Sequence, residues 1–196
     1  MDETVLERIK SVFSESAELA GRSMEMMVGR PLSIRVNRIE QIPFENLCES
    51  LYPPDTPMAM ILLRITGDNS GYMVFLMYEE NARKLNEILW GSVPFEDGVI
   101  NLSDPSALGE LANVVGSCFL NVLADRVGLE LRPTEPFFVY DMLAAVLEGL
   151  IAEQSLIADK AILVDTNMAE KERGIGMHFL FLPSPDLVEN LAARLR

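Results

Sequence analysis

The stretch SALGELANVVGSCFLN, residues 106–121, sets a carboxylate and a carboxamide, Glu110 and Asn113, three residues apart in an otherwise apolar run. A helix brings such residues together, one turn apart on one side. The pair would offer a charged acceptor beside a neutral group that both donates and accepts hydrogen bonds. It is either a catalytic pair or ordinary surface polarity. At 100° per residue, Leu108, Ala112, Val115, Phe119 and Leu123 fall on one face, which must be buried. Ser106, Glu110, Asn113, Ser117 and Asn121 form the opposite stripe. On periodicity alone, a solvated polar face is the better reading.

Other chemistries are poorly represented. His178 is the one histidine and stands in the alternating run GIGMHFLFL, where a solvent-facing or hydrogen-bonded role is expected. No zinc cluster, Ser-His or Cys-His pairing, or glycine-rich phosphate loop is evident. Cys48 and Cys118 are too few for a disulfide framework and read as reduced core thiols. The net charge of −14 disfavours nucleic acid and anionic membrane surfaces, and suits partners that carry basic patches. The acidic amphipathic N-terminus does not resemble a signal peptide, and the apolar run PMAMILL ends at Arg64, too soon to span a membrane. A cytoplasmic protein is expected.

The elements that must position the pair can be followed along the chain. Residues 3–28 carry helical spacing and stop at Gly29; PLSIRVNRI follows as a strand and PFENLCESLYPPDT as a turn or short helical connection. MAMILLRIT and GYMVFLMY form a hairpin around GDNS, and EENARKLNEILWG is a short helix. A second long helix starts near Asp104, as N-cap, with Pro105 at its first position, and ends at Gly128. LELRPTEPFFV is then a strand, YDMLAAVLEGLIAEQS a helix, KAILVDTNM and GIGMHFLFL a hairpin, and SPDLVENLAARLR a closing helix.

This order of helix, strand, connection, hairpin and helix occurs twice. Gly29 and Gly128, which end the two long helices, are 99 residues apart. The expected fold is therefore α+β, one domain over residues 1–196 whose repeat halves span about 1–91 and 104–196. An internal pseudo-twofold would relate two long helices packed on a shared, largely antiparallel sheet.

The segment SALGELANVVGSCFLNVLADRVGLELRPTEP resembles the active-site helix of the CheC/CheX/FliY family of bacterial and archaeal chemotaxis phosphatases. The family pattern is Asp or Ser, three residues, Glu, two residues, Asn, twenty-two residues, Pro. Ser106, Glu110, Asn113 and Pro136 fill each position at each spacing. GRPLSIRVNRIEQIPFENL and DMLAAVLEGLI extend the resemblance to both halves, and the length is closer to the CheC branch than to the shorter CheX. No room is expected after Arg196 for the extra domain of FliY.

The resemblance implies a reaction. The family hydrolyses the aspartyl phosphate of the response regulator CheY, which itself supplies the phosphorylated Asp, a magnesium ion and a Lys. Glu110 would dock that Lys, Asn113 would orient the attacking water, and Ser106 and Pro136 would support them. No metal or organic cofactor of the chain's own is implied. Many CheC proteins carry the motif twice. Here the 99-residue offset maps Ser106, Glu110, Asn113 and Pro136 onto Glu7, Ser11, Ser14 and Asn37, so Ser11 and Ser14 mark a degenerate first site. Many CheC proteins also bind the deamidase CheD, and Asp141 matches a residue of that contact, although it could equally cap the next helix. The expected function is a single-site phosphatase of a CheY-type regulator in chemotaxis. The alternative is a catalytically weak adaptor that binds the regulator or CheD.

Overall fold

The computed structural model describes residues 3–90, 106–170 and 173–195. Helix α1 (Glu3–Val28) opens the chain and is followed by strand β1 (Ser33–Pro43), helix α2 (Phe44–Leu51), the hairpin β2 (Pro57–Gly67) and β3 (Gly71–Tyr78), and helix α3 (Glu79–Trp90). Helix α4 (Ser106–Val127), strands β4 (Leu131–Pro133) and β5 (Phe137–Met142) and helix α5 (Leu143–Gln154) come next. The hairpin β6 (Lys160–Glu170) and β7 (Arg173–Pro183) and helix α6 (Pro185–Arg194) complete the second half. The expected cap at Asp104 and Pro105 lies outside the described residues. PFENLCES, open between turn and helix in the sequence, is helix α2.

All the described strands join one antiparallel sheet in the order β1-β6-β7-β3-β2, with β4 and β5 both pairing with β2 at the far edge. This order reads the same from either end once the halves are exchanged. Pro57 pairs with Met142 and Pro43 with Lys160. Met142 lies 99 residues after Pro43, so Pro57 corresponds to Lys160, 103 residues on. Ile61 then corresponds to Val164, and their partners Phe75 and Phe179 to each other, 104 residues apart. Phe75 and Phe179 are also paired directly in β3 and β7. The pseudo-twofold axis therefore passes through this one pair.

Strand alternation divides the sheet between two cores. Ala59, Ile61, Leu63, Met73, Phe75, Met77, Val164, Phe179 and Phe181 face α1, α3, α4 and α6. Met58, Met60, Val74, Leu76, Leu163, Leu180 and Leu182 face α2 and α5. Above the axis Phe13 of α1 stacks on Phe119 of α4 at 4.2 Å, and both rings meet Phe179 and Phe181 edge-on. Each such pair contributes about 0.5–1.5 kcal/mol beyond the area it buries. Both long helices end as expected, at left-handed glycines: Gly29 (φ 70°) and Gly128 (φ 64°) donate to Glu25 and Ala124.

His178 departs from expectation. Its side chain is only 15% exposed, and its Nδ1 has no hydrogen-bond partner. The carboxylate of Asp165 lies 3.7 Å away and the ring of Tyr52 covers the imidazole at 5.0 Å. Position 178 faces the α2 side of the sheet, where Tyr52 closes over it. Burial lowers the imidazole pKa, opposed by Asp165 and reinforced by Arg38. The folded protein thus holds the ring neutral while the unfolded chain protonates near pH 6.5. Stability is lost as pH falls from about 6.5 towards the lower folded value, because the unfolded state binds the proton more readily. Urea titrations from pH 7 to 5 should show a smaller decline for His178→Phe than for the parent; equal declines would contradict a neutral buried ring.

Candidate active site

The register of the edge strands builds the site. Ile65 pairs with Pro133, the Thr134 amide donates to the Arg64 carbonyl at 2.9 Å, and the Arg64 amide donates to Thr134 Oγ1 at 3.0 Å. Pairing resumes at Leu62 with Phe137, so Glu135 and Pro136 together oppose Leu63. This is a β-bulge, and proline, lacking an N–H, is well accommodated there. The expected continuous strand LELRPTEPFFV is therefore divided into β4 and β5. The same irregularity occurs in the first half, where the β1–β6 register shifts between Val36 and Arg38 and skips Asn37. Asn37 is the residue that the 99-residue offset maps to Pro136. The duplicated half keeps the bulge without the proline.

Helix α4 lies against this bulge. A Cβ built on Gly109 would sit 3.7 Å from Pro136, in ordinary contact. A Cβ on Gly116 would approach Leu63 Cδ1 to 2.7 Å and Met73 Cε to 3.1 Å. The helix thus lies close against the sheet at Leu63, the residue opposite the bulge. Leu108, Leu111, Ala112, Phe119, Leu120 and Leu123 are buried beneath it, with Val115 half-buried. Glu110 and Asn113 are both exposed on the outer side, one turn apart, and Pro136 is half-buried beside Gly109. Ser106 is the first residue of α4. The structure therefore brings Glu110, Asn113 and Pro136 to one end of one helix. The bulge and the close approach at Gly116 were missed in the sequence. A glycine in mid-helix, which costs about 1 kcal/mol relative to alanine, was the available signal.

Ser11 and Ser14 are exposed on α1, where the pseudo-twofold places them. Ser14 borders a groove of about 430 Å³ between α1 and residues 32–36. Asp141 is not a helix cap: Met142 is the N-cap of α5, and Asp141 stands one residue earlier in β5, paired with Met58. Its exposed carboxylate accepts from the Met142 amide at 2.8 Å. Cys48 and Cys118 are free, half-buried and packed against opposite faces of the sheet. Burial raises both thiol pKa values, so neither is primed as a nucleophile. Next to α3, Tyr140 of β5 donates to Glu79, which also accepts from Arg83 Nε at 2.9 Å. Burial and this hydrogen bond push Tyr140 up to about 12, and the same bond holds Glu79 below its ordinary value. Among the described residues no three His, Cys, Asp or Glu side chains are grouped to hold a metal, and no helix is long and apolar enough to cross a membrane.

No family model matches the chain. It is 29% identical over 197 aligned residues to the CheY-P phosphatase CheC of Bacillus subtilis (strain 168), covering 98% of this chain and 94% of that protein. The resemblance to the CheC/CheX/FliY family holds along nearly the whole chain. The structure of Thermotoga maritima FliY superposes with a TM-score of 0.75 at 14% identity, over 100% of this chain and 97% of that one. The FliM middle domain of H. pylori gives 0.68 at 15% identity, over 98% and 99%. A CheC-like superfamily protein from Shewanella sp. PV-4 gives 0.51 at 13%, over 92% and 99%. At these identities the solved structures show the fold, and the fold is CheC-like. Replacing Gly116 with Leu should overfill the contact with Leu63 and Met73 and lower stability by about 1–3 kcal/mol in a urea titration. Gly109→Ala should cost nothing, since its Cβ has room; equal stability of all three proteins would argue against the close helix–sheet approach.

Proposed function

We propose that this chain hydrolyses the aspartyl phosphate of a CheY-type response regulator in chemotaxis signalling, through one active site on α4. The observation that carries the reading is the joint exposure of Glu110 and Asn113, one turn apart beside the Pro136 bulge. They stand on a convex helix surface. A small free substrate calls for a concave pocket, whereas a phosphorylated side chain can be presented by the partner that carries it.

The chemistry asks little of the helper. In an aspartyl phosphate the phosphorus is bound to a carboxylate oxygen, already a good leaving group. Water attacks phosphorus, the bond to the aspartyl oxygen breaks, and carboxylate and inorganic phosphate result. Holding the water in line removes orientational entropy, worth several kcal/mol of barrier. The Asn113 amide can orient it while remaining neutral beside the phosphoryl oxygens. Glu110, one turn away, pairs with the regulator's Lys and keeps its negative charge off the phosphate. The regulator brings the magnesium ion, and this chain needs no cofactor. The reaction would take place in the cytoplasm, where such regulators work. Ser106 and Pro136 are assigned supporting roles from the motif alone. Asp141, exposed on β5 as part of the edge strand, favours a second reading as a contact for CheD, in which the chain is a weakly catalytic adaptor.

Two substitutions separate these readings. Asn113→Ala should abolish stimulated dephosphorylation while leaving regulator binding intact. Glu110→Lys should weaken binding itself, by about 1–3 kcal/mol for a partly buried charge contact. A decay time course beside a binding titration reads both, and an Asn113→Ala protein as fast as the parent would leave only the adaptor. The pair Ser11→Ala and Ser14→Ala should leave the rate within about twofold, as surface changes remote from a site do. A large loss without unfolding would reveal a working first site.

A further inference from the structure

The two long helices differ in a second respect. Leu19 and Met26 of α1 are 41% and 79% exposed, and neither contributes to the core. They are seven residues apart, two turns on one side of the helix, with Ser23 between them. Ser23 hydrogen-bonds to Cys118 of α4, and Arg126 of α4 pairs with Glu15. These contacts run in opposite directions along the two helices, so α1 and α4 lie antiparallel. One turn beyond the Ser23–Cys118 contact, Met26 comes level with Val114, and one further turn along α4 reaches Glu110. At the positions 99 residues on, α4 carries Cys118 and Asp125 instead. The helix that lacks the Glu–Asn pair is therefore the one that exposes apolar side chains along the seam with α4, Met26 nearer the pair and Leu19 level with Val122, about three turns from Glu110.

We propose that Leu19 and Met26, with Val114, form the apolar part of the surface on which the phosphorylated regulator docks. The inference rests on the reading of Glu110 and Asn113 as the phosphatase site. A stable protein contact covers about 800 Å² per partner, more than the outer stripe of a single helix presents. The adjoining surface of α1 is continuous with that stripe. Its residue types also fit the task. Methionine is enriched in interface cores and adapts to an irregular partner surface, while Glu110 and Asn113 alone provide polar contacts that water can replace. The occupant is thus a regulator with an apolar patch beside its phosphorylated Asp and its Lys. Leu19 and Met26 are docking residues and take no part in hydrolysis.

The test uses the full chain, the double variant Leu19→Gln/Met26→Gln, and a CheY-type regulator. Binding is titrated with the regulator held active by beryllofluoride, and turnover is measured with the phosphorylated form. The variant should raise Kd and KM about five- to twentyfold, with kcat within twofold and an unchanged thermal midpoint. If the parent binds and hydrolyses while the variant matches it in Kd and KM, the docking surface is wrong and the phosphatase reading stands. If the parent binds without hydrolysing and the variant binds more weakly, the docking surface stands and the phosphatase reading fails. If the parent does neither, both fail. Sedimentation of both proteins completes the test: a parent dimer that the variant dissolves would make this face a contact between copies and overturn the proposal.

Discussion

The pairing of Phe75 with Phe179 at the centre of the sheet is the contact on which the remaining geometry depends. It joins two hairpins that would otherwise be separate, and its rings support Phe13 and Phe119 where the long helices cross the axis. A two-stranded hairpin is marginal in water, and three or more strands with a buried face are needed for stability. Here each hairpin gains its missing neighbours from the other half and from the outer strands β1, β4 and β5. The orientation of α4, and with it the direction of Glu110 and Asn113, is consequently set by a core shared between the halves.

Duplication then leaves two equivalent edges, and each meets a long helix at a bulge. In the second half the extra residue is Pro136, whose ring lies beside Gly109 with room for a Cβ between them. In the first half it is Asn37, exposed, with a groove between β1 and α1. A bulge is a backbone requirement that survives exchange of its side chain, whereas a proline ring packed on a glycine is a side-chain contact that one substitution removes. This explains how the halves retain a common backbone and differ in the residues that could act on a substrate.

Much of this was legible in the sequence, for identifiable reasons. The ends of α1 and α4 are written in Gly29 and Gly128, and the outer stripe of α4 in the spacing of Glu110, Asn113, Ser117 and Asn121. The hairpins follow from alternating apolar runs around short polar turns. The break between β4 and β5 was hidden because LELRPTEPFFV has strand composition on both sides, and a bulge alters pairing without altering composition. A uniform offset of 99 was also too simple. It holds through α2 and α5, where Phe44 and Leu143 begin their helices, but becomes 103 and 104 in the hairpins. Four of the added residues lengthen α5, which has 12 residues where α2 has 8, and the fifth falls between Val164 and Phe179. The environment of His178 could not be read at all, because Tyr52 reaches it from over a hundred residues away in the chain.

The exposed position of the Glu–Asn pair follows from the same architecture. An acidic protein would repel a free phosphate ester, and burying a carboxylate beside phosphoryl oxygens would raise that cost further. The proposed presentation by a partner would alter the balance, because the partner's own cations would offset the phosphate before the two surfaces meet. On the proposed function, the chain would then have only to add an amide at a fixed distance from a carboxylate. An α-helix held closely at Gly116 against Leu63 and Met73 provides that distance without a pocket. The rigidity lies in the buried side of α4, and this leaves Glu110 and Asn113 exposed on its outer side.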